Sequence, residues 1–140
     1  MGRTIADLER LQSNINFIDV FMNNNAGTIW DEASSVRNAL NSIFQNIRDL
    51  TRDGESHYTN ELVRTLIAKL GKYSKHFRNI AVLDNENPVE KTIEILVQRL
   101  QDFLAIEGDI QRKGYVLTQL QTGFDNVRKA LAAFAQKKPK

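Results

Sequence analysis

The chain predicts an all-α protein, a single helical bundle of about five amphipathic helices, and three observations predict it. Apolar residues recur at steps of three and four over nearly the whole length, the spacing that lines one side of a 3.6-residue helix rather than one face of a strand. Turn formers are scarce, with 2 prolines and 7 glycines in 140 residues, too few for a fold built on many tight turns. The composition, 41% hydrophobic and 26% charged, suits a packed globule and is too apolar for a disordered chain. One domain over residues 1–140 is expected, burying roughly two-thirds of the surface that the unfolded chain exposes.

The first apolar stripe is Ile5, Leu8, Leu11, Ile15, Ile18 and Met22. Thr4 sits three residues ahead of Asp7, a hydroxyl and a carboxylate that together can satisfy the free N–H groups of a helix start. The run Asn23-Asn24-Asn25-Ala26-Gly27 reads as a linker. Thr28 and Asp31 repeat the start signal before a second stripe, Val36, Leu40, Ile43, Ile47 and Leu50. Asp53-Gly54 ends it, since glycine tolerates the left-handed turn of many helix C-termini.

The third stripe is Leu62, Leu66, Leu70, Tyr73, Phe77 and Ile80, followed by the loop Asp84-Asn85-Glu86-Asn87-Pro88. There Asn87 suits the N-cap, Pro88 the first helical position and Glu90 the reciprocal acid. Val89, Ile93, Leu96, Leu100 and Phe103 form the fourth stripe, and Leu117, Leu120, Phe124, Val127, Leu131 and Phe134 the fifth. Between these two lies Glu107-Gly108-Asp109, where the apolar phase continues. One helix from Pro88 to Gln136 would be about 73 Å long and would outreach a bundle. Gly108, Gly114 and the acid Glu107 on the seam favour a break and a hairpin. Residues 137–140 form a basic tail that is expected to fray.

Several function classes are disfavoured by what the chain lacks. It has 0 cysteines, which excludes disulfides and thiolate metal sites and leaves the cytoplasm as the expected location. No apolar run approaches the roughly 18 residues of a spanning helix, and the first residues lack a signal-peptide core. Gly2 alone leaves a myristoylation motif incomplete. Neither His57 nor His76 has a glutamate three residues before it, so the Glu-x-x-His pairs of helical di-metal sites are missing. No glycine-rich phosphate loop occurs. No metal, cofactor, membrane or small-molecule substrate is expected.

One short motif has catalytic chemistry. Arg52-Asp53-Gly54-Glu55-Ser56-His57 resembles the signature of the HEPN superfamily, all-helical proteins many of which are metal-independent ribonucleases. The resemblance covers six residues. It implies that Arg52 would steady an RNA phosphate and His57 would act as acid or base, the two meeting across a dimer. A histidine exchanges protons near neutral pH and suits that role. The motif departs from the family in carrying Gly54, a helix terminator, where the family keeps helical structure.

Charge layout carries the other pointer to a partner. The net charge is −4 over residues 1–61, +5 over 62–83, −4 over 84–127 and +5 over 128–140. The second segment holds Arg64, Lys69, Lys72, Lys75 and Arg78 and no acid. On a helical wheel these cations lie away from the apolar stripe and form a solvent-facing ridge about 30 Å long. Such a ridge can pair with phosphates and bind in a salt-sensitive way, or it can complement acidic helices of the same or another copy. Tyr73, at the stripe's edge, is expected to keep its hydroxyl in water and could stack on a base. Phe17, Phe21 and Trp30 flank the asparagine-rich linker and form either an exposed patch for a partner or the capping layer of the bundle.

The functional expectation is therefore a non-enzymatic structural or adaptor subunit of a larger assembly, touching an RNA or DNA backbone through residues 62–83. Two alternatives stand beside it: a HEPN-like ribonuclease using Arg52 and His57, and a bundle that binds only proteins, including copies of itself.

Overall fold

Five helices form among the described residues, each where an apolar stripe lies. The computed structural model describes residues 2–23, 29–54, 57–80, 89–106 and 110–136, with side chains for 4–18, 30–54, 57–78, 89–106 and 112–136. The helices are α1 (Gly2–Asn23), α2 (Ile29–Arg52), α3 (His57–Ile80), α4 (Val89–Ala105) and α5 (Ile110–Ala135). No strand occurs among the described residues. The break between α4 and α5 is present, so the two form a hairpin rather than one rod; Glu107, Gly108 and Asp109 lie outside the described residues. So do Asn24 to Thr28, Asp84 to Pro88 and the tail from 137 to 140, as do the side chains of Met22 and Ile80.

The punctuation of α2 follows from backbone chemistry. Asp53 N–H donates to the Asp49 carbonyl at 3.0 Å and Gly54 N–H to the Thr51 carbonyl at 3.1 Å. Gly54 takes a φ of +80°, the left-handed conformation in which a side chain would be strained. Asp31 and Glu32 occupy the first turn of α2, where the helix dipole favours negative charge.

The helices close into a ring in the order α1, α2, α5, α4, α3 and back to α1, with α2 and α3 also touching across it. Contacts between ring neighbours fix the directions. Asn14 of α1 donates to Asn46 of α2 at 3.2 Å. Phe44 meets Phe124 at 5.5 Å and Trp30 meets Phe134 at 6.2 Å, so α2 and α5 run antiparallel. Arg99 of α4 donates to the Gln119 side chain of α5 at 2.6 Å. The chain thus runs up and down. A ring of five cannot alternate throughout, and the exception is α1 beside α3, whose N-terminal halves share a groove.

The core is one cluster running through all five helices, with Leu11, Ile18, Leu40, Ile43, Leu66, Leu70, Leu96 and Leu120 wholly out of water. Each fully buried side chain of this size contributes about 1.5–3 kcal/mol relative to exposure. Gly123 allows the close approach of α4 to α5. A Cβ there would lie 3.1 Å from Arg99 Cδ and 3.3 Å from Leu96 Cδ1.

Three expectations change. Ile5 is 59% exposed rather than part of the core, because it projects at the mouth of the α1–α3 groove. In α3 the buried line is Val63, Leu66, Leu70, Tyr73 and Phe77, with Leu62 only half-buried. A helix in a ring meets two neighbours and the centre, so its buried arc is wider than a single stripe. Tyr73 is wholly buried, not at a boundary, and its hydroxyl has no hydrogen-bond partner among the described residues. The aromatic layer explains this position: Phe77 packs edge-on against Phe134 at 4.7 Å, Phe134 stacks on Trp30, and Tyr73 lies 6.3 Å from Phe77.

Candidate polyanion-binding face

Helix α3 positions the cations through its own periodicity. With Val63, Leu66, Leu70, Tyr73 and Phe77 turned inward, residues displaced by about half a turn must face out. Arg64, Lys72 and Lys75 do so; all three are exposed, and none has an ion pair among the described residues. Arg64 and Lys75 are eleven residues apart, about 17 Å along the axis at 1.5 Å per residue. Ala68 and Gly71 are exposed between them, and with little side chain they leave the helix surface low and open to a backbone-bearing ligand.

The other two cations of the expected ridge behave differently. Lys69 is half-buried on the flank of α3 and is engaged within the chain. Arg78 is exposed but donates to the Glu90 carboxylate of α4. That hydrogen bond raises the arginine above its usual pKa and holds the Glu90 carboxyl below the usual carboxylate range. Glu94 adds a smaller negative field on Arg78. The run of free cations is therefore shorter than the sequence predicts, ending at Lys75 about 17 Å from Arg64 instead of at Arg78 about 21 Å away, because its upper end is neutralised by the neighbouring helix. Tyr73, being buried, offers no ring to a base.

The HEPN-like pair is placed as follows. Arg52 is exposed in the last turn of α2 and lines a cleft against α5, while His57 is the exposed first residue of α3, edge-on to Tyr58 at 5.0 Å. No contact joins Arg52 to His57 among the described residues, and Gly54 turns the chain between them. Of the aromatic trio, Trp30 is half-buried in the stack on Phe134 and belongs to the capping layer. Phe17 is 44% exposed with a contact of its own, and the Phe21 side chain lies outside the described residues.

Two arrangements were not legible in the chain. His76 Nε2 lies 3.2 Å from Glu32 Oε2, bridging α3 to α2 beneath the surface. Its only sequence signal was a lone histidine one residue before Phe77, and the partner is 44 positions away. The second is the α2–α5 cleft, whose residues share one face of each helix in sequence but declare nothing of their pairing. No helix among the described residues is long and apolar enough to cross a membrane, and no group of three or more His, Asp or Glu side chains converges there as metal ligands. No protein-family model, curated protein or solved structure matches the chain.

Proposed function

We propose that the protein is a non-enzymatic helical subunit or adaptor that engages the backbone of RNA or DNA through the outward face of α3. The observation that carries this reading is the set Arg64, Lys72 and Lys75, exposed, unpaired among the described residues, and held on a rigid helix opposite its core face. Counterions condensed on a phosphate chain are released when such cations replace them, which makes binding favourable and salt-sensitive. The contacts go to phosphate, not to base edges, so little sequence preference is expected. With three such cations on α3 among the described residues, the affinity of one copy is modest, and several copies along one strand would bind much more tightly through effective concentration. This fits a subunit better than a solitary binder.

The reading is tested by charge reversal. Lys72→Glu with Lys75→Glu should abolish the gel shift of a single-stranded oligonucleotide while leaving helicity unchanged, because both side chains are solvent-exposed. Retention of the shift would reject the face.

A second reading rests on a separate observation. The groove between the parallel helices α1 and α3 exposes Ile5 (59%) and carries Leu8, Tyr58 and Leu62, with Glu9 and Glu61 on its rim. An apolar strip edged by acids suits a protein partner with the opposite edge charge. This reading predicts no oligonucleotide shift at any salt concentration.

A further inference from the structure

We infer that the cleft between the C-terminal half of α2 and the N-terminal half of α5 binds a small molecule bearing a carboxylate or phosphate on an apolar stem. The cleft holds about 310 Å³, at the lower end of the range for small-molecule sites. Phe44 and Leu117 supply its apolar surface, Arg48 and Arg52 stand one helical turn apart, and Thr118 and Gln121 face them from α5. No acidic side chain lines it among the described residues.

The two arginines are short of acceptors. Arg48 Nε is buried without a hydrogen-bond partner among the described residues, and its ion pair with Asp49 is loose, with Oδ1 at 3.6 Å. Arg99 and Arg128 also bury an unpartnered Nε, but each is anchored through Nη1, to Gln119 and Asp125 respectively. Arg48 makes no hydrogen bond through any guanidinium nitrogen among the described residues. Arg52 has no ion pair among them. A guanidinium presents a planar fork that matches two oxygens of a carboxylate or phosphate. The dipole ends of α2 and α5 that meet at this end are opposite in sign, so the attraction for an anion rests on the side chains.

Gly114 is the independent observation. It lines the cleft from inside α5, where glycine is the poorest helix former after proline. Packing does not require it, since a Cβ there would meet nothing within 4 Å, in contrast to Gly123. A side chain at 114 would occupy open space at the cleft that Gly114 lines. The absence of one keeps the space open beside Arg48 and Arg52. The site lies on the α2–α5 seam, across the ring from α3, so it stands or falls independently of polyanion binding.

The test is an amide chemical-shift titration of the full chain with phenyl phosphate and with benzoate, each carrying stem and anion, and with inorganic phosphate and benzyl alcohol as the separate parts. Saturable shifts confined to residues 44–52 and 114–121, with a Kd of about 1 mM or tighter for one or both aryl anions, support the site. The tighter of the two identifies the anion. Inorganic phosphate and benzyl alcohol should each bind at least about tenfold more weakly. Arg48→Gln with Arg52→Gln should weaken the aryl anion by about tenfold or more. Gly114→Leu should remove binding while raising the thermal midpoint, a combination that misfolding cannot produce. No saturable shift, an equal response to inorganic phosphate, or unchanged affinity in both variants would overturn the inference.

Discussion

Tyr73 shows how a single buried atom governs the response to pH. Burial, and to a smaller extent the Glu32 charge, raise its pKa well above the ordinary value of 10.0. In the unfolded chain the phenol ionises near that value, whereas in the folded protein it keeps its proton. The group's contribution is therefore fully present below about pH 10 and is lost as pH rises beyond it. Tyr73→Phe should flatten the alkaline limb of a stability–pH curve measured by urea unfolding. It should also raise stability near neutrality by about 1 kcal/mol, because it deletes a buried hydroxyl that lacks a partner among the described residues. An unchanged alkaline limb would contradict this account.

The Glu32–His76 pair is the second residue-scale device. The Glu32 side chain is only 8% exposed, so removing its partner leaves a carboxylate out of water. His76→Ala should cost about 1–3 kcal/mol. Adding Glu32→Gln to it should recover part of the loss. Strict additivity of the two losses in a double-mutant cycle would show that the residues do not interact.

Glycines distinguish two demands that a helix can make on one residue. Gly54 supplies the positive φ that ends α2, and Gly54→Ala should cost about 1–2 kcal/mol for a left-handed residue with a Cβ. Gly123 supplies closeness, and Gly123→Ala should forfeit the helix-propensity gain by crowding Arg99 and Leu96. Gly114 supplies neither, so Gly114→Ala should stabilise α5 by up to about 1 kcal/mol. Thermal midpoints of the three variants should fall in the order Gly114→Ala, Gly123→Ala, Gly54→Ala, highest first. A lower midpoint for Gly114→Ala than for wild type would reject the reading of an unpacked glycine.

At this scale much was legible. The step of three and four along Leu117, Leu120, Phe124, Val127, Leu131 and Phe134 marks α5 because the period of a buried stripe is the period of the helix itself. Asp53-Gly54 marks the end of α2 for an equally local reason, the glycine backbone. The rotation of α3 that buries Val63 in place of Leu62 was not legible. It depends on which neighbours the helix has, and those are set by residues far away in sequence.

For the whole molecule, the ring order governs what each face can do. Helices α1 and α4 flank α3, and α2 only crosses behind it, so the outward side of α3 is left to solvent. The same neighbours also determine its charge. The sequence places five cations on this helix, yet Glu90 reaches Arg78 only because α4 folds back against α3. No local pattern announces that pairing, which is why the expected ridge was too long. The α2–α5 cleft was hidden for the same reason, since Arg48 and Gly114 come together only when the ring closes.

The polyanion reading is tested most directly by the salt dependence of single-stranded RNA binding. The three α3 cations unpaired among the described residues, at about 0.7 counterions per phosphate contact, predict that log Kobs falls with log salt at a slope near −2, which Lys75→Gln alone reduces in size to about −1.4. No binding at low salt, or a slope that this variant leaves unchanged, would contradict the assignment of α3 as the contact.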